Sequence, residues 1–320
     1  MSEFLEFRGV SKRFGNVQAV ADVSLEVRKG EVFSLLGPSG CGKTTMLRIA
    51  AGFERPDAGR VLLDGEDITD LPPEKRKVNT IFQSYALFPH MTVRENIAFG
   101  LRVAKRPKGE IDDEVGITFL YVTHDQGEAM GLSDRIAVMD SGRIEQVGTP
   151  VEIYEAPRTS FVAAFIGDTN FLDGEVTGLE DAEYSRLEIA GVPGIVCFND
   201  KAIQAGQPVF LSIRPEKVHI SRDKPEAEKL RNMLPAVVED VIYLGSTTKY
   251  WVRAGKIRIQ VLRQHSRFFL DEKPIRWNDE VWVFWHGDDS FMLERYREVD
   301  EDLLAVPPRK VGESDGGNGR

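Results

Sequence analysis

Gly37-Pro38-Ser39-Gly40-Cys41-Gly42-Lys43-Thr44-Thr45 is the stretch that decides how this chain folds. It fits G-x-x-x-x-G-K-[ST], the loop that wraps the phosphates of a nucleoside triphosphate. The surroundings agree. Val32, Phe33, Leu35 and Leu36 form a short apolar run before it, as a buried parallel strand should. Thr44 to Ala51 reads as a helix after it, with Gly52 placed to end the helix. Gly37, Gly40 and Gly42 let the backbone approach phosphate oxygens, and the loop amides and the helix N-terminus then bind negative charge. Pro38, Ser39, Cys41 and Thr45 complete the loop. Lys43 supplies a point charge to the β- and γ-phosphates, and the Thr44 hydroxyl is placed for Mg²⁺. A nucleoside triphosphate with Mg²⁺ is therefore the expected ligand.

Upstream of the loop, Phe4 to Val10 and Ala19 to Val27 read as strands around a Gly15-Asn16 turn. Downstream, residues 59–70 read as a hairpin turning at Asp64-Gly65. Its apolar run followed by Asp could pass for a metal-holding strand. The Asp-Gly pair and the nearness to Lys43 mark it as a turn instead. Asp140-Ser141-Gly142-Arg143 is a second turn of this kind, and residues 149–167 read as helical from Thr149-Pro150 onward.

Composition bounds the rest. A chain of 320 residues holds about two domains. With 42% hydrophobic residues it can bury a core in each. The formal net charge of −10 disfavours nucleic acid as a partner. Two cysteines, Cys41 and Cys197, suggest neither a disulfide framework nor a zinc site and fit a reducing cytosol. MSEFLEFRGV lacks a signal peptide's basic start and apolar core. No apolar run is long enough to span a membrane.

Val10-Ser11-Lys12-Arg13-Phe14-Gly15 together with GPSGCGKTT resembles the ATPase subunits of ABC transporters. The resemblance implies that Phe14 stacks on adenine; by itself the residue reads as a core or hairpin aromatic. Val78 to Leu101 resembles the family's Q-loop region. A strand there ends at Gln83, which in the family reaches Mg²⁺ and the attacking water, and Tyr85, Leu87, Phe88 and Pro89 face the membrane subunit. Thr123-His124-Asp125, after the apolar strand Phe119 to Val122, resembles the switch histidine that contacts the γ-phosphate. Gln83 and His124 are thus the expected catalytic residues, and Thr44 and Gln83 the expected metal contacts.

Between these points the family pattern breaks, at residues 115/116. The LSGGQ signature, the Walker B strand with its Asp-Glu, and the D-loop are all missing from the sequence. Against the family pattern, on the order of eighty residues are absent.

From residue 169 the character changes to short β-runs: Gly174 to Thr177, Val209 to Ile213, Ala236 to Leu244, Tyr250 to Arg253, Lys256 to Leu262, Val281 to Trp285 and Ser290 to Leu293. That spacing suggests an antiparallel barrel. Ser212-Ile213-Arg214-Pro215-Glu216-Lys217 and Val241-Ile242-Tyr243-Leu244-Gly245 resemble the TOBE-type barrel of importer ATPases. Asp240 to Arg253 and Ile275 to Val281 resemble its polyamine branch, for putrescine or spermidine. Trp251, Trp282 and Trp285 read as barrel core or strand face.

The expectation is then an α/β P-loop nucleotide-binding domain over 1–168, internally truncated, an all-β TOBE/OB-like barrel over 169–297, and a disordered acidic tail over 298–320. The resemblance implies a homodimer of ATPase subunits working with two membrane permease subunits and a periplasmic polyamine-binding protein, at the cytoplasmic face of the inner membrane. A different class stays open: a nucleotide-binding regulatory or vestigial protein without hydrolysis. An unrelated P-loop kinase fits the Q-loop, switch histidine and barrel less well.

Overall fold

The computed structural model describes residues 3–78, 118–201, 203–265 and 274–304. Its contacts divide the chain into two compact units that part between Pro150 and Val151.

The first unit begins with β1 (Glu3–Phe14) and β2 (Val17–Arg28), a hairpin that turns at Gly15. Along β2 from Val20, buried and more exposed residues largely alternate, because successive side chains point to opposite faces. β3 (Val32–Leu36) is buried nearly throughout and leads through the glycine-rich loop into α1 (Lys43–Ala51). β4 (Ala58–Leu63) and β5 (Glu66–Asp67) follow, joined at Asp64-Gly65, both with positive φ. This is the predicted hairpin, and it needs the left-handed residues found there. A 3-10 turn, Pro73–Lys75, precedes Arg76. After the undescribed stretch come β6 (Phe119–Thr123), α2 (Gln126–Leu132), β7 (Arg135–Asp140) and β8 (Arg143–Gly148).

Among the described residues these strands make two sheets. One is antiparallel, ordered β2-β1-β4-β5; the other is ordered β6-β3-β7-β8, parallel in its first three strands. Phe7, Val20 and Leu25 of the first share one buried cluster with Phe33, Leu35, Met46 and Ile49 of the second sheet and its helix. Burial of this apolar surface is the main stabilising contribution, and it fixes the loop between β3 and α1 at the sheet's C-terminal end.

Two features of this unit bear on the site. Arg76 is buried and donates to four carbonyls: Ile49 (2.6 Å) and Ala50 (2.9 Å) at the end of α1, Leu71 (2.8 Å) and Thr69 (3.1 Å). A cation there complements the helix C-terminus. Gly52, in the left-handed conformation, caps the helix, and a Cβ on it would meet the Arg76 Nε at 2.5 Å. Second, β6 has β3 on one side and, among the described residues, no strand on the other. Its apolar run reads as a buried parallel strand, yet Leu120, Tyr121 and Val122 are only half-buried and Phe119 is 46% exposed.

The second unit opens with two helices, α3 (Pro150–Glu155) and α4 (Ser160–Phe165). One continuous helix over 149–167 was expected. Pro157 breaks it, because proline lacks the N–H that the helix needs and disfavours helical geometry in the residue before it. Thr159 then N-caps α4 by accepting from the Val162 N–H. Among the described residues ten strands follow: β9 (Asn170–Leu179), β10 (Tyr184–Ile189), β11 (Val192–Phe198), β12 (Pro208–Ile213), β13 (His219–Ser221), β14 (Arg231–Tyr243), β15 (Thr247–Ala254), β16 (Ile257–Gln264), β17 (Glu280–His286) and β18 (Ser290–Met292). They form two five-stranded antiparallel sheets, ordered β11-β10-β9-β12-β18 and β13-β17-β14-β15-β16, around one apolar cluster that contains Tyr250 and Trp285. Trp251 is buried as well, so these two tryptophans serve the interior, as expected.

Two boundaries differ from the sequence reading. The segment 151–168 belongs to the second unit rather than the first. The buried Arg214 guanidinium explains this: it donates to the carbonyls of Tyr154 (3.0 Å), Ala163 (2.8 Å) and Asp168 (3.1 Å), and lies over the Tyr154 ring. The start of the supposed disordered tail is also folded. Glu298–Leu303 form a 3-10 turn held by Asp300, which accepts from Ser160 Oγ at 2.5 Å and pairs with Arg297 at 2.7 Å. An acid-rich composition suggested a solvated tail, but one buried carboxylate with two donors anchors it.

Candidate functional site

The site is built where β3 ends. Gly37 is buried, and a Cβ on it would lie 2.3 Å from the Met139 carbonyl oxygen of β7. Gly42 has φ +105°, and its Cβ would lie 2.2 Å from the Ala19 carbonyl oxygen of β2. No other residue fits either position without moving backbone. Gly40 also has positive φ but open space where a Cβ would be. Pro38 is half-buried, Ser39 exposed and Cys41 buried. No side chain caps the start of α1, whose N-cap is Gly42. Its first N–H groups, which no carbonyl of the helix can reach, therefore point to an anion.

Lys43 is buried, and its ammonium donates to the carbonyls of Gly37 (2.7 Å) and Pro38 (2.8 Å). This holds the charge inside the curve of the loop. Thr44 is exposed and Thr45 half-buried at the start of α1. Among the described residues no cluster of three or more His, Cys, Asp or Glu is arranged to hold a metal ion. The donor set suits Mg²⁺ only as that ion is held beside nucleotides, by phosphate oxygens and water with one protein oxygen, for which the Thr44 hydroxyl is available.

Phe14 ends β1 and is 46% exposed, with the Lys12 ammonium 5.3 Å from its ring centroid. Lys12 is in turn held by Glu54 and Asp57, both at 3.1 Å. The aromatic face is thus presented on a braced hairpin. Gln83 lies outside the described residues, as do Tyr85, Leu87, Phe88 and Pro89.

His124 follows β6 directly and is exposed. The residues around it are fixed. Thr123 Oγ1 and Tyr121 Oη both donate to Glu128 Oε2, at 2.8 and 2.7 Å. Asp125 N–H donates to Thr123 Oγ1, and Asp125 Oδ1 caps α2 by accepting from Glu128 N–H, each at 3.0 Å. The two hydroxyl donors, Tyr121 first, hold the Glu128 carboxyl below its ordinary range. Both carboxylates near His124 are therefore already engaged.

The sequence reading missed the brace of the loop. Gly142 N–H donates to the Cys41 carbonyl at 3.0 Å, and the Gly142 carbonyl accepts from Ala21 N–H at 2.8 Å. The Asp140-Ser141-Gly142 turn, with positive φ at Ser141 and Gly142, is legible as a turn. Nothing in the sequence says what it leans on. Arg76 was also missed, since a lone arginine before an apolar run carries no signal of burial.

Comparison with known proteins agrees with this arrangement. The ABC transporter family profile matches residues 20–190, and the TOBE domain profile matches residues 211–293. Among similar proteins is one from Protochlamydia amoebophila named "Spermidine/putrescine import ATP-binding protein PotA", 47% identical over an alignment covering 94% of this chain and all of that protein. Proteins of the same name from Thermotoga maritima and Fusobacterium nucleatum are 42% and 37% identical, over 91% and 89% of this chain and 98% and 96% of their own lengths. The first of these alignments spans 371 residues, more than the 320 of the chain itself, so the relative carries residues for which this chain has no counterpart. By the profile matches and these identities together, the chain belongs to the ABC transporter ATP-binding family and carries that family's TOBE domain.

Proposed function

We propose that this chain is the ATP-binding subunit type of a polyamine importer, that it binds MgATP, and that it does not turn it over. The observation that carries binding is the loop itself: a buried Lys43 inside a curve of glycine-rich backbone that only glycine can form at Gly37 and Gly42. The loop amides and the start of α1 take the phosphates, Lys43 supplies charge, Thr44 contacts Mg²⁺, and Phe14 stacks on the base. His124 and Gln83 read the γ-phosphate, as the family resemblance implies. Spermidine or putrescine as the transported class rests on the names of the relatives. By the same resemblance, the partners are membrane permease subunits and a second ATP-binding subunit, at the cytoplasmic face of the membrane. No helix among the described residues is long and apolar enough to cross a membrane.

The alternative to an importer motor is a nucleotide-binding protein without hydrolysis, and the sequence favours it for this chain. In-line attack on a γ-phosphate needs a held metal, a positioned water and stabilised charge. The Walker B Asp, the catalytic Glu and the LSGGQ loop that supply these in relatives are absent from the sequence. A positioned base alone contributes about 10²–10⁴-fold in rate. Asp125 is committed to capping α2 and Glu128 to two hydroxyls, so neither is available as a substitute. The test is calorimetry of MgATP binding followed by a phosphate-release assay with Lys43→Ala as the blank. Binding should be measurable and about 1.5–3 kcal/mol weaker in the blank. Release should stay near background and be indifferent to Asp125→Asn and Glu128→Gln. Unchanged affinity in Lys43→Ala defeats the binding assignment; robust release that the blank abolishes defeats the claim of no turnover.

A further inference from the structure

The Asp140-Ser141-Gly142 turn resembles a metal-binding strand end without being one, and the loop's own chemistry does not use it. Its surroundings give it another role. Gly142 stands between two parts of the site that are far apart in sequence. Through its N–H it holds the Cys41 carbonyl of the phosphate loop at 3.0 Å. Through its carbonyl it is held by the Ala21 N–H of β2 at 2.8 Å. β2 starts at Val17, which pairs with Phe14 across the hairpin. A single peptide unit on each side of Gly142 therefore ties the hairpin that presents Phe14 to the loop that takes phosphate.

The contact is tight on every side. Gly142 has φ +78°, and a Cβ there would lie 3.0 Å from the Ala19 carbonyl oxygen and 3.3 Å from that of Gln18. The Cβ position of Gly42 lies 3.6 Å from the Gly142 Cα and 2.2 Å from the same Ala19 oxygen. Gly37 is packed in the same way against Met139, one residue before the turn. At Gly142 the loop, the turn and β2 thus meet backbone to backbone. Backbone contacts of this kind leave little freedom for the hairpin and the loop to move independently.

We propose that Gly142 is a positioning residue that sets the distance between the base platform at Phe14 and the phosphate loop, so that it governs recognition of the whole nucleotide rather than of phosphate. This rests on the reading of Phe14 and the loop as the base and phosphate sites. A ligand that spans both parts depends on their spacing; a ligand that touches only the loop does not. Loss of one bridging hydrogen bond weakens the spanning ligand by about five- to tenfold.

The experiment compares MgATP with magnesium tripolyphosphate by calorimetry on the full chain, for the parent, Gly142→Ala and Phe14→Ala. In Gly142→Ala the added Cβ presses on the Ala19 and Gln18 carbonyls. MgATP should bind about five- to tenfold more weakly and tripolyphosphate within about twofold of the parent. Phe14→Ala should show the same split by a different route. Equal weakening of both ligands in Gly142→Ala, or no change in either, overturns the proposal. If Phe14→Ala leaves MgATP affinity unchanged, the base-site reading fails instead, and the two failures are told apart. Should Gly142→Ala not fold, amide hydrogen exchange in the unmodified chain decides. MgATP, which spans both parts, should slow exchange at Gly142 and at Ala21, and tripolyphosphate, which reaches only the loop, should slow Ala21 far less. Slowing by MgATP at Gly142 with none at Ala21 would overturn the link.

Discussion

Leu36, the last residue before the phosphate loop, is paired in parallel register with Thr123, the last residue before His124. The two strands therefore end level, and His124 leaves β6 at the same height at which Gly37 leaves β3. A side chain so placed is suited to the outermost phosphate. His124→Ala should weaken MgATP by about 1.5–3 kcal/mol, the range for a hydrogen bond to a charged group, and leave MgADP unchanged. Calorimetry with both nucleotides checks this; an equal loss for each would remove His124 from the γ-phosphate.

The hydroxyls of Tyr121 and Thr123 keep the Glu128 carboxyl ionised below its ordinary range. A depressed native pKa stabilises the fold above the unfolded value, and this contribution is lost as pH falls through the native one. Glu128→Gln has no such titration. The parent should therefore melt higher than Glu128→Gln near neutrality, and the gap should close as pH drops below about 4. A gap that is constant with pH would mean that the carboxylate's charge does not matter there.

Arg76 satisfies two carbonyls at the end of α1 and two in the segment that follows β5. Arg76→Ala leaves these buried acceptors without a donor and should destabilise the first unit by about 2–4 kcal/mol. Arg76→Lys should recover only part, since a single ammonium lacks the planar fork of donors. Chemical denaturation followed by a probe in the first unit measures both. Equal stability of the lysine variant and the parent would show that charge alone suffices.

Among the described residues β6 has no partner on its outer side, and Phe119 at its start is exposed. Unpaired edges recruit other strands, and a charge on them blocks that. Phe119→Lys should raise the concentration at which the protein remains monodisperse, without altering MgATP affinity. Heating should resolve two transitions, the lower one moving up with MgATP as mass action requires. One cooperative transition for the whole chain would mean that the two units do not unfold separately.

Much of this was legible beforehand. The phosphate loop announces itself because its glycines answer to backbone geometry that no other residue satisfies, and Asp64-Gly65 announces its hairpin for the same reason. The helix over 149–167 was read too long, because the apolar spacing continues across Pro157 while the backbone cannot. β11 is hidden because Val192-Pro193-Gly194 reads as a turn, and β10 because its inward face begins at the polar Ser185 and leaves only Leu187 and Ile189 as apolar positions. The pairing of β9 with β12 and the hold of Gly142 on Cys41 are long-range facts, set by which surfaces meet; local pattern does not encode them. Gln83 lies outside the described residues.

The anchoring of α4 has a consequence for biosynthesis. Ser160 accepts from the Arg297 N–H and donates to Asp300, which is made 140 residues later. Arg158 waits in the same way, its carbonyl accepting from the Glu294 N–H. A nascent chain therefore cannot anchor the second of these helices until residues 294–300 have left the ribosome. Closing so long a loop is slow relative to local pairing. During that interval the Phe161 ring lacks the Arg297 guanidinium that lies 5.5 Å from its centroid, and translation stopped short of Arg295 would release a chain with its sheets formed and its second helix unanchored.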